Sequence, residues 1–149
     1  MTAKEYLSQA YELDRKADII LQKADAMRKS LYGRGQSYGG GGHSDSSDSI
    51  AKAIAKVVDY ERKADEVIDR LIDMRIEIET AINEVPDPIQ REVLERRYLM
   101  YQPFESGYDK RTGIYIKGID EIMGYSARQI YRFHGYGLQK IKKDVSECQ

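Results

Sequence analysis

Leu7, Ala10, Tyr11, Ala17, Ile20, Leu21, Ala24, Met27 and Leu31 recur at three- and four-residue intervals, with charged residues between them. That beat matches the turn of an α-helix and predicts one long helix over residues 3–31 with a single apolar stripe. Asp14 interrupts the stripe once. Thr2 followed by Glu5 has the spacing of a capping box, in which the two residues satisfy each other's backbone N–H. The beat returns at Ile50, Ile54, Val57, Ala64, Val67, Ile68, Leu71, Met74, Ile78, Ala81, Ile82 and Val85. It predicts a second long helix over residues 50–84, capped by Ser49.

Between the two helices lies GRGQSYGGGGHSDSSDS, residues 33–49. Four glycines and a run of Ser and Asp offer no core to offset their ordering entropy, so the segment is expected to be a mobile loop. Two amphipathic helices joined in this way are expected to fold back as an antiparallel hairpin over residues 1–85. Such a pair has little core of its own. It is expected to pack on a second copy, a dimer foremost, or on another protein, the alternative being the C-terminal domain of its own chain.

Pro86 and Pro88 end the second helix. PIQREVLERRYLMY, residues 88–101, predicts a shorter helix with Ile89, Val93, Leu94, Tyr98 and Leu99 on its apolar side and Pro88 in its first turn. Residues 102–115 are expected to form a loop. A short helix is then predicted from about Ile116 to Met123, with Ile116, Ile119 and Met123 on one face. Gly124 supplies the sharp helical end, Tyr125 plugs the corner, and Ser126 caps the next helix. In that last helix Ile130, Phe133, Leu138 and Ile141 make the buried side. The expected fold is therefore all-α: the hairpin, then a small helix-turn-helix domain over residues 86–149.

Charge sharpens this reading. The formal net charge is -1, but it is unevenly spread. Residues 50–84 hold six Lys and Arg against nine Asp and Glu, whereas residues 110–143 hold eight against two. A basic C-terminal segment suggests an end that meets a polyanion. Arg128, Gln129, Tyr131 and Arg132 fall on or near the polar side of the last helix. Arginine offers a fork to guanine, and glutamine pairs with adenine, in the major groove of duplex DNA. Ser126 and Gln129 at the helix start, with Lys140, Lys142 and Lys143 further on, are the candidate phosphate contacts.

DPIQREVLERRYL followed by IDEIMGYSARQIYRFHGYGLQKIKK resembles region 4 of bacterial sigma factors. The whole chain resembles small phage-encoded proteins that carry such a domain at the C-terminus and are related in pattern to phage regulators of late transcription. The specific part covers roughly residues 86–143. The resemblance implies base-reading roles for Ala127, Arg128, Tyr131 and Arg132, a buried Leu138, and a small residue at Gly137. It also implies a transcription regulator in the bacterial host cytoplasm that binds phage DNA and touches host RNA polymerase. Asp120 departs from the family, which usually has alanine or glycine there, so either it stays at the edge of the helix crossing or the crossing is looser than usual. Gly135 and Gly137 are expected to weaken the last helix, and mark either a close approach or a bend.

Other chemistry finds little support. No apolar run reaches bilayer-spanning length, and MTAKEYLSQAYELDRKAD has no signal-peptide core. Cys148 is alone, and His43 and His134 have no metal-ligand spacing around them. Asp65, Glu66, Asp69 and Asp73 read as a solvated helix face. No catalytic residue, metal or cofactor is expected. His134 is expected on the helix surface, adding to the basic face when protonated. Two other functions fit the same pattern: a small terminase-like DNA-packaging protein, and a helical adaptor that binds a protein and no DNA.

Overall fold

The computed structural model describes residues 1–35 and 44–141, and most of them are helical. Helix α1 spans Ala3–Gly35 and α2 spans Ser44–Asn83. α3, Pro88–Leu94, runs directly into a wider π-helical turn at Glu95–Leu99. A small antiparallel pair follows, β1 (Gly107–Tyr108) with β2 (Tyr115–Ile116). The described chain ends in α4, Ile119–Met123, and α5, Ala127–Lys140. Among the described residues, no helix is long and apolar enough to cross a membrane.

Both long helices exceed their expected bounds. The predicted loop at 33–49 is helical at 33–35 and at 44–49, so Ser49 lies inside α2 and caps nothing. Ser and Asp, taken there for loop formers, are equally the residues favoured at a helix N-terminus. Residues 36–43, with the four glycines and His43, lie outside the described residues, as do residues 142–149 with Lys142, Lys143 and Cys148. The capping box at the start of α1 is present: Thr2 N donates to Glu5 Oε2 at 2.7 Å, and Glu5 N donates to Thr2 Oγ1 at 3.2 Å.

The chain divides into two compact units. One joins Met1–Tyr11 to the chain from Asp73 onward, and the other is Glu12–Ile72. The expected boundary after residue 85 falls inside the first unit.

In the unit Glu12–Ile72, Ala17, Ala24, Val57, Ala64, Val67 and Leu71 are buried, and Arg28 pairs with Glu61. Leu21, Ile50 and Ile54 were expected on the apolar stripes, yet they are 42%, 43% and 51% exposed. The period is right, but the buried strip is narrower than the apolar one.

The other unit is held at several points. Arg75, near the end of α2, donates to the Leu99 carbonyl at 2.6 Å, and the Tyr11 ring meets Tyr101 edge-on at 5.3 Å. Asp87 caps α3 by accepting from Ile89 N and Gln90 N, with Pro88 in the first turn as its fixed φ predicts. The expected helix over 88–101 instead changes pitch after Leu94. Met100 N reaches back five residues to the Glu95 carbonyl, and Tyr101 takes a positive φ of 58°. Val93, Ile119 and Ile130 form the centre of the core, surrounded by Phe104, Met123, Tyr125 and Phe133.

α5 packs closely on α3. A Cβ at Gly137 would meet Leu94 Cδ1 at 3.0 Å, while one at Gly135 would meet nothing within 4 Å. Gly137 thus marks a close approach. Gly135 has no such contact.

Candidate functional site

The site is built on α4, the turn after it and α5. Ile119 is fully buried and anchors α4, with Met123 half-buried beside it. Ile116 was expected on the same face, but it belongs to β2 and is 43% exposed, so α4 is shorter than predicted. The start of α4 is held by the segment before the sheet. Ile119 N donates to the Pro103 carbonyl and Asp120 N to that of Phe104. Gly118 makes this possible, because any Cβ there would collide with the Glu105 main chain.

Gly124 closes α4 with φ 75° and ψ 30°, the left-handed conformation that glycine adopts without steric cost. Gly124 N and Tyr125 N both donate to the Asp120 carbonyl. The Tyr125 ring then meets Phe133 edge-on at 5.1 Å, which plugs the corner. Ser126 stands in extended backbone and starts α5 through a full capping box. Gln129 N donates to Ser126 Oγ at 3.3 Å, and Ser126 N donates to Gln129 Oε1 at 3.1 Å.

α5 separates its residues cleanly. Ile130 is fully buried and Phe133, Leu138 and Gly137 lie on the inner side, with Ile141 buried just past the helix end. Arg128 and Arg132 are exposed, and no hydrogen bond or ion pair holds either guanidinium among the described residues. Tyr131 is 47% exposed and its ring lies 5.1 Å from that of Phe104. Ala127 is half-buried. The four residues expected to read bases are therefore brought onto the first two turns of one helix, and only the arginines stand fully clear.

The expected phosphate contacts are less uniform. Ser126 and Gln129 are exposed but engaged with each other in the cap. Lys140 donates its ammonium to Gln90 Oε1 at 2.9 Å, tying α5 to α3. Lys142 and Lys143 lie outside the described residues.

His134 is not on the basic face. Its Nε2 sits 2.7 Å from the Tyr98 hydroxyl, its ring stacks on Tyr98, and Phe104 meets it edge-on at 4.8 Å. Burial, reinforced by Lys4 and Arg97, pushes its pKa down to about 4. Burial likewise pushes Tyr98 up to about 12, against a smaller opposing effect of Arg97. At neutral pH a protonated phenol thus faces a neutral imidazole. With the ring proton on Nδ1, the phenol donates to Nε2. The spacing Ile130, Phe133, Leu138 skips residue 134, which is why the sequence placed it outside. The partner that draws it inward is Tyr98, thirty-six residues earlier.

Asp120 does lie at the edge, and it has a task there. Its Oδ1 accepts from Ser106 N at 3.0 Å, Ser106 Oγ at 2.9 Å and Glu121 N at 2.7 Å. Partial burial acts upward on this carboxyl, but those hydrogen bonds outweigh it and hold its pKa below the usual value. This carboxylate fastens the preceding segment to α4.

The β1–β2 hairpin is another feature that sequence reading missed. Asp109 Oδ1 accepts from Arg111 N and Thr112 N, Gly113 N donates to the Asp109 carbonyl, and Gly113 takes φ 69°. DKRTG carries that turn signal, an Asp followed by a glycine four residues on, between two tyrosine-bearing segments. The strands are only two residues long, too short for alternation to reveal them. The chain matches no family model, no curated protein and no solved structure.

Proposed function

We propose that this chain is a DNA-binding regulator of transcription, with α4, the Gly124–Ser126 turn and α5 acting as a sigma region 4-like helix-turn-helix. In this reading α5 enters the major groove. Arg128 and Arg132 read base edges, with Ala127 and Tyr131 lining the same approach. The observation that carries it is the pair of exposed arginines on the first two turns of a helix whose start is fixed by a capping box and whose opposite side is locked to the core. Side chains that discriminate bases must be presented from a rigid helix, because a loosely held arginine gains phosphate contact without choosing a sequence.

α1 and α2, arranged as an antiparallel hairpin, supply self-association. Ile50, Ile54 and Val58 lie at four-residue intervals and are each more than 40% exposed, an apolar row on α2 that a second copy would cover. A dimer would present two reading helices to paired half-sites. The resemblance to phage late-transcription regulators adds host RNA polymerase as a partner.

The test is binding of the full chain to duplexes recovered from a random-sequence pool, compared with unselected duplex. Arg128→Ala and Arg132→Ala should each lower discrimination by about 1–3 kcal/mol. Equal losses on selected and unselected duplex would remove the base-reading assignment.

A further inference from the structure

We infer that the β1–β2 hairpin is a second DNA contact, in which Lys110 and Arg111 at its tip hold the phosphate backbone beside the groove that α5 reads. The inference rests on the DNA-binding reading of α5 and extends it to an element outside the helix-turn-helix.

The hairpin is shaped as a rigid projection. Two ladder pairs close it, Gly107 with Ile116 and Tyr108 with Tyr115, and the two tyrosine rings meet edge-on at 5.1 Å. The Asp109 carboxylate is turned into the tip, where it accepts from Arg111 N and Thr112 N. The one acidic group of the projection is therefore occupied in building the turn. Lys110, Arg111 and Lys117 are all exposed. Tyr108 and Ile114, which flank the tip, are 75% and 63% exposed.

The root is fixed to the reading unit. Ser106 N and Oγ donate to Asp120, Gly118 N donates to Ser106 Oγ, and the Tyr115 hydroxyl donates to Glu121. Asp120 and Glu121 at the root thus accept hydrogen bonds from the hairpin and its stem, while Glu105 is exposed. Phe104, two residues before Ser106, packs on Tyr131 of α5. The projection therefore leaves the core beside the face that carries Arg128 and Arg132. From Gly107 the tip extends about 10 Å at strand rise, close to the width of the major groove. Two exposed cations carried at that reach suit the phosphates flanking an occupied groove. They add affinity without sequence information.

The experiment measures anisotropy of labelled duplex, selected and unselected, with the full chain across a salt series. In Lys110→Ala/Arg111→Ala the slope of log affinity against log salt should become shallower by about 1.8, with parallel losses on both duplexes. Lys110→Gln/Arg111→Gln, which keeps polar side chains at the tip without their charge, should show the same change, with an unaltered melting temperature for both variants. Wild type that binds while the variants keep its slope overturns the hairpin contact alone. A loss confined to the selected duplex also overturns it, because base reading and not phosphate contact would then be the role. Wild type that binds neither duplex at low salt overturns the DNA reading of α5, and this inference with it.

Discussion

Leu7, Ile78, Ile82, Val85, Val93, Leu94, Ile119 and Ile130 are the largest fully buried side chains, and all lie in the unit of Met1–Tyr11 and the chain from Asp73 onward. In Glu12–Ile72 the buried positions are chiefly small, with Ala17, Ala24 and Ala64 among them. Ile19, Leu21, Ile50, Ile54, Val58 and Ile72 of that unit are all more than 40% exposed, as Ile76, Met100 and Ile114 are in the other. Burial of a large aliphatic side chain is worth about 1.5–3 kcal/mol, and about half of that is forgone at these positions. The two units thus differ in where their stabilisation comes from. One has a core of fully buried large side chains, and the other buries chiefly alanine and valine.

Truncation at Ile130 against truncation at Ile54 breaks this comparison most sharply. Ile130→Ala opens a cavity beside Val93 and Ile119 and should cost about 2–5 kcal/mol in urea unfolding. Ile54→Ala should leave that transition within about 0.5 kcal/mol when measured on dilute protein. It should instead shift the concentration at which the chain self-associates in sedimentation. Comparable losses for both variants in dilute protein would show that Ile54 contributes to the fold itself, and the proposed self-association surface would lose its basis.

The same contrast explains what the sequence disclosed. The helices, the Thr2 capping box, the Ser126 cap, the Gly124 turn and the Ile119–Ile130 core were all legible, because each depends on residues a few positions apart or on strong periodicity. Other features, the β1–β2 hairpin among them, were not. The pitch change after Leu94 has no Gly or Pro to announce it, and only the pairing of Met100 N with the Glu95 carbonyl defines it. The inward turn of His134 depends on Tyr98, and the fastening role of Asp120 depends on Ser106, both far away along the chain. The surface left open on α2 is invisible to periodicity, which reports a stripe but not how much of it is covered.

His134 gives the next largest effect and confines it to the core-bearing unit. The folded ring stays neutral down to about pH 4, while the unfolded ring takes a proton near 6.5. Between these values the unfolded chain binds more protons, so stability falls as the pH is lowered from 6.5 toward 4. Above 6.5 both states are neutral at this residue and it adds no pH dependence. The loss should be on the order of 1–3 kcal/mol once partial exposure of the ring to solvent is allowed for. His134→Gln should flatten the difference in melting temperature between pH 7 and pH 5. An unchanged slope would place the responsible group elsewhere.

The smallest effect separates two glycines within one helix. Gly135 is helical, with open space where a Cβ would stand, so Gly135→Ala should stabilise the chain by about 0.4–1 kcal/mol through lost freedom in the unfolded state. Gly137→Ala gains the same helical term, but its Cβ arrives 3.0 Å from Leu94 Cδ1 and 3.3 Å from Cγ. Leu94 is fully buried and has little room to move, so the contact should cancel the gain or reverse it. Pairing Gly137→Ala with Leu94→Val removes Cδ1 and should restore part of the helical gain, which melting of the single and double variants would measure. If Gly137→Ala stabilises as much as Gly135→Ala, α3 and α5 are not held at this spacing. The side of α5 opposite Arg128 and Arg132 would then be less firmly seated than base reading requires.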